Sequence, residues 1–181
     1  MSNISMTTSK RNAIVTVMLI SAFVSMLNQT ILNTALPAII KGLNITETTA
    51  QWLITGFMLV NGIMIPLTAF LMDKYSTRHL YIFSMAIFLI GSIVAAFSPT
   101  FTILMISRII QAIGAGILLP LMQFTVFTLF PAEQRGFAMG LAGVVVQSAP
   151  AIGPTLTGLF VDLFSWRMPF YLVSAIAVVA F

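Results

Sequence analysis

The sequence has no cysteine, one histidine and only four acidic residues against eight basic ones. The first absence excludes disulfides and thiolate metal sites, and a lone His79 beside Arg78 offers no cluster of ligands, so neither a metal nor a cofactor is expected. Charged residues make up only 7% of the chain while hydrophobic ones reach 59%, which excludes an ordinary soluble domain. No nucleophile lies near a histidine and an acid, and no phosphate-binding loop is present, so an enzyme is not expected. The basic residues are scattered singly between apolar runs with no aromatic platform beside them, which points to membrane topology and away from nucleic acid.

What the chain does have is long apolar runs. A bilayer core about 30 Å thick needs roughly 20 apolar residues per helix, so 181 residues accommodate about six short-looped spans. These are expected at Ala13 to Leu36, Gln51 to Met72, Leu80 to Phe97, Phe101 to Phe130, Phe137 to Phe164 and from Met168 onward, the sixth being incomplete. The runs are continuous rather than alternating, which argues for helices over barrel strands. The expected fold is therefore an all-α membrane protein, a six-helix transmembrane bundle over residues 13–181, preceded by a polar segment over 1–12. With the amino terminus in the cytoplasm, Lys10, Arg11, Lys74, Arg78 and Arg135 share that side, and only Lys41 and Arg167 lie opposite. The positive-inside rule favours that orientation. Trp52, Trp166 and Tyr171 fall at span ends and suit interface anchors.

Several residues do not suit lipid. Arg108 sits inside the fourth run with Gln111 one turn along; a cation there costs a few kcal/mol at least, so it should face the bundle interior, near Asn28 or Gln147. A guanidinium snorkelling toward the interface is the alternative. Asn28, Gln29, Thr30, Asn33 and Thr34 in the first run require a side that lines protein or water. Pro66, and Pro150 with Gly153, Pro154 and Gly158 in the fifth run, predict bends or hinges. Spacings such as Ala112 and Gly116 or Gly136 and Gly140 suit close helix packing. Asp73, Lys74, Arg78 and His79 crowd one loop, where Asp73 is expected near Arg78 or Arg135.

Four stretches in the right order resemble the major facilitator superfamily, and within it the fourteen-span drug:proton antiporters. Leu27 to Pro37 resembles the signature "D-x-T-I/V-V/L-N-x-A-L-P", with Asn28 in place of the acid. Ala69 to Arg78 is similar to "G-x-x-x-D-R/K-x-G-R-R/K", keeping Asp73, Lys74 and Arg78. Arg108 to Gly116 resembles "R-x-x-Q-G-x-G", with Ala112 at the first glycine. Ala151 to Gly158 resembles the antiporter motif "G-P-x-x-G-G", with Thr157 at one glycine.

The resemblance implies the amino-terminal half of a secondary transporter in a bacterial plasma membrane. Such a protein exports amphipathic drugs or a lipid-like substrate by alternating access, driven by protons or another coupling ion, together with a carboxy-terminal half. Substrate or coupling roles are expected of Asn28, Thr30, Asn33, Arg108, Gln111 and Gln147. Conformational gating falls to Asp73, Lys74, Arg78, Arg135, Pro150, Gly153, Pro154 and Gly158. Because asparagine cannot titrate, Asn28 cannot itself carry the coupling proton. A split membrane module that pairs with another half and does not transport alone is the alternative.

Overall fold

The computed structural model describes residues 7–181. The expected segment over 1–12 lies partly outside the described residues; its later part, from Thr8, is already the first turn of a helix. Six helices follow in order: α1 Thr8–Leu43, α2 Glu47–Lys74, α3 Thr77–Ala96, α4 Phe101–Leu129, α5 Ala132–Leu163 and α6 Met168–Ala180. The first five are long and apolar enough to cross a membrane. Their starts are set locally: the side chains of Thr46, Ser76 and Thr100 accept from backbone amides three residues on, capping α2, α3 and α4.

The first helix runs past the proline expected to end it. Pro37 lies inside α1, which stops only at Asn44, a residue at φ 51° whose amide donates to Ile40. In lipid an unwound segment has no water to satisfy its backbone, so continuing the helix with one missing donor is the lesser cost.

The helices pack chiefly as α3 on α4, α2 on α4 and α1 on α5, with α1 also against α4 and α6. Between α3 and α4 glycines bring the helix backbones close together. A Cβ on Gly114 would stand 2.5 Å from the Ser84 carbonyl and 2.8 Å from Phe88 Cβ, and one on Gly91 would stand 2.8 Å from the Gln111 amide. By contrast Gly136 and Gly140 meet open space, so the contact expected of that pair is not made among the described residues.

Pro120 in α4 cannot donate to the Gly116 carbonyl, and Thr68 of α2 compensates. Its hydroxyl lies 2.7 Å from Met64 O within its own helix and 3.2 Å from Gly116 O across the interface. Thr68→Val is therefore expected to destabilise the bundle by about 1 kcal/mol, and by less in a Pro120→Ala background where the helix supplies the missing amide. Thermal unfolding of the four proteins of that cycle measures this; equal losses in both backgrounds would remove the compensating role.

At the end of the bundle holding Lys41, Trp166 is buried rather than placed as an exposed anchor. Its indole sits against Gly42, where a Cβ would overlap the ring, and it meets Phe170 edge-on. Arg167 stacks 4.4 Å over Trp166 and donates to Ser98 O at 2.9 Å, tying the α5–α6 junction to the α3–α4 loop. Trp52 is exposed, and Tyr171 packs edge-on against Phe97.

Candidate functional site

Arg108 is fully enclosed by the bundle, and what surrounds it contains no acid. Its Nη1 donates to Gln111 Oε1 at 2.8 Å, and the guanidinium lies 4.2 Å over the Phe57 ring of α2. Asn28 Nδ2 donates to the same Gln111 oxygen at 3.2 Å, and Gln111 Nε2 donates to Ser92 Oγ at 3.0 Å. The chain has one direction. Arginine can only donate, so Gln111 must present its oxygen there and its nitrogen to Ser92, whose hydroxyl in turn donates to Phe88 O. Asn28 Oδ1 and Arg108 Nε remain buried without partners. Arg108 thus meets Asn28 through Gln111 and not directly.

Beside this network lie two adjoining open cavities. The first, about 160 Å³, lies between α1, α2 and α4, with Ser25, Gln29 and Asn61 as its polar groups and Phe57 in its wall. The second, about 180 Å³, lies between α1, α4 and α5 and carries Gln123 and Gln147. Met26 and Leu119 line both, so the two form one inner face. None of these five polar side chains hydrogen-bonds to another group among the described residues. No charged residue lines either cavity.

The other sequence-predicted residues are distributed differently. Thr30 donates to Leu27 O at 2.9 Å, and its side chain fills the space where Gly153 of α5 lacks a Cβ. Asn33 is exposed and lines neither cavity. In α5, Gly153 and Thr157 belong to the seam buried against α1, whereas Pro150 and Pro154 face outward and Gly158 borders open space.

At the opposite end of the bundle from Lys41, the loop charges do not pair. Asp73 and Arg78 are exposed, and Asp73 forms no ion pair among the described residues. The basic side chains there use aromatic rings instead. Lys74 lies 4.4 Å over Phe70 and Arg135 lies 4.3 Å over Phe127, with Arg135 Nε donating to Phe130 O at 3.1 Å. The pairing of Asp73 expected from sequence is therefore not made within this bundle.

Asn61, Gln123 and Phe57 were not singled out from sequence, and Gln29 only as part of a polar stripe. The available signal was a carboxamide inside an otherwise apolar run, the same signal that exposed Gln111.

The chain is thus a bundle of apolar helices, five of them long enough to cross a membrane, with uncharged polar groups on one inner face. Residues 18–181 match the family model described as the Major Facilitator Superfamily, and the chain belongs to that superfamily. It is 54% identical over 169 residues to an uncharacterised MFS-type transporter, YcnB, of Bacillus subtilis, covering 93% of this chain and 36% of that protein. It is 42% identical over 163 residues to the lincomycin resistance protein LmrB of the same organism, covering 90% of this chain and 34% of the relative. With the probable multidrug resistance protein EmrY of Escherichia coli the identity is 35% over 147 residues, covering 81% and 29% respectively. The chain spans about a third of the length of these curated relatives.

Proposed function

We propose that this chain forms the amino-terminal half of a proton-coupled multidrug exporter in a bacterial plasma membrane, working by alternating access, with its amino terminus in the cytoplasm. The observation that carries this reading is the inner face shared by α1, α2, α4 and α5, where five uncharged polar groups converge without protein partners. A second half would close that face, so that substrate binds near the middle of the membrane between the two. The most exposed helices, α2 and α5, flank the face and offer the surfaces for that closure.

Arg108, Gln111 and Asn28 supply a fixed positive centre beside the substrate cavity, and the carboxylate that takes up the proton comes from the second half. Gly153 against Thr30 lets α5 lie close to α1, and the prolines at 150 and 154 allow it to bend there. Asp73, Lys74, Arg78 and Arg135, none of them in an ion pair among the described residues, are available to hold the cytoplasmic ends of the two halves together.

The test is drug accumulation in a sensitive bacterial host producing the full-length transporter. At least one drug of a panel that includes lincomycin, named by one relative, is expected to accumulate less than in the empty host, and a protonophore should abolish the difference. Unchanged accumulation across this panel of neutral and charged drugs would overturn the export reading. The open α2 and α5 faces also suit a module that pairs without transporting alone; residues 1–181 produced by themselves should insert yet export nothing.

A further inference from the structure

Drug export is chemically unspecific until the charge of the cargo is stated, and the cavity itself carries that information. We infer that this half selects uncharged amphipathic molecules bearing hydroxyl or amide groups, reading them through Gln29 and Asn61, and that it disfavours cations. The inference rests on the export reading above and names the substrate class of the same cavity.

Three observations converge. First, Ser25, Gln29 and Asn61 enter the cavity from α1 and α2 without any hydrogen bond to other described side chains or backbone. Hydroxyls and carboxamides both donate and accept, so they match hydroxyl and amide groups of a ligand but cannot neutralise a charge. The Oδ1 of Asn61 is buried beside Gly116, 2.9 Å from where a Cβ would stand, and has no hydrogen-bond partner among the described residues.

Second, the remaining wall is apolar, from Met26, Ile65 and Leu119, and so accommodates the hydrophobic part of an amphiphile. Third, the one aromatic ring in this cavity is already engaged. The Arg108 guanidinium lies 4.2 Å over Phe57 without itself lining the cavity, so one face of that ring already holds a cation. Arg108 has no acid among its partners, so a cation approaching Phe57 meets an unneutralised like charge close to the ring.

Binding to the purified full-length protein in lipid nanodiscs tests this, with radiolabelled chloramphenicol as the neutral probe carrying an amide and two hydroxyls, and ethidium as the aromatic cation. Chloramphenicol is expected to bind in preference to ethidium. Gln29→Leu and Asn61→Leu should each weaken its binding about 3- to 10-fold, the range of a lost neutral hydrogen bond, while elution volume stays that of the wild type. Gln29→Glu should raise ethidium affinity relative to chloramphenicol by at least about tenfold, since it places a carboxylate where a cation can reach it. Ethidium binding as tight as chloramphenicol in the wild type, or leucine variants that leave chloramphenicol binding unchanged, would overturn the inference. Those results would leave drug export itself intact, whereas binding of the expected kind without export would sink the transporter reading alone.

Discussion

Gln111→Leu is expected to destabilise the bundle by about 3 kcal/mol, more than any other single loss of a polar group in it. The reason is concentration of function in one amide. Gln111 Oε1 accepts from both Arg108 and Asn28, and Gln111 Nε2 donates to Ser92, so leucine strips three hydrogen bonds from one buried place. Hydrogen bonds between membrane helices are individually worth only about 0.6 kcal/mol on average. What raises the cost here is Arg108, whose charge would keep only the face of Phe57 as a partner. Gln111→Glu keeps the acceptor for Arg108 and Asn28 and adds a counter-charge but loses the donor to Ser92, so its loss should be clearly smaller than that of leucine. Thermal unfolding of the three proteins in detergent distinguishes the cases; equal midpoints for glutamate and leucine would show that packing, and not the satisfaction of Arg108, makes Gln111 necessary.

Gly114→Leu should be more damaging still, preventing assembly of α3 on α4. Even the first carbon of a side chain would stand 2.5 Å from the Ser84 carbonyl and 2.9 Å from the Phe88 amide, and both are backbone atoms that no rotamer change removes. The helices would have to separate, disturbing Ser92 and Gln111, which meet across the same interface. Gly62 provides the contrast: nothing lies within 4 Å of the corresponding point, so Gly62→Ala should be neutral or slightly stabilising through its helix propensity. The measurement is the yield of monodisperse full-length protein after extraction. A Gly114→Leu variant extracted as well as the wild type would mean that α3 and α4 are not held at this distance.

The helices were legible because hydropathy in a membrane reports directly on the solvent, and twenty apolar residues have few alternatives. The burial of Arg108 followed from the same argument, since a cation inside an apolar run must find a polar environment. Pro37 misled because a proline that ends a helix in water is retained within one where unwinding would leave the backbone unsolvated. Trp166 misled because an aromatic at a span end suits a headgroup layer, and nothing in the sequence announced that Gly42 would make room for it. Asn61 and Gln123 were hidden for a different reason. An amide in an apolar run must avoid lipid, but whether it turns toward a neighbouring helix or a cavity depends on residues far away in sequence. The pairing of Asp73 failed similarly, since nearness along the chain does not bring exposed loop charges into contact.

The acid-free surroundings of Arg108 also have an electrical consequence. A buried cation neutralised by a neighbouring carboxylate would move through the membrane field as a dipole of little net effect, but this one travels with amides alone and carries its full charge. Under the proposed alternating access between two orientations, any displacement of Arg108 along the field does work, and a shift across one-tenth of the potential drop corresponds to about 0.2 kcal/mol per 100 mV. The balance between the two orientations would then depend on membrane voltage before any ion or drug has bound.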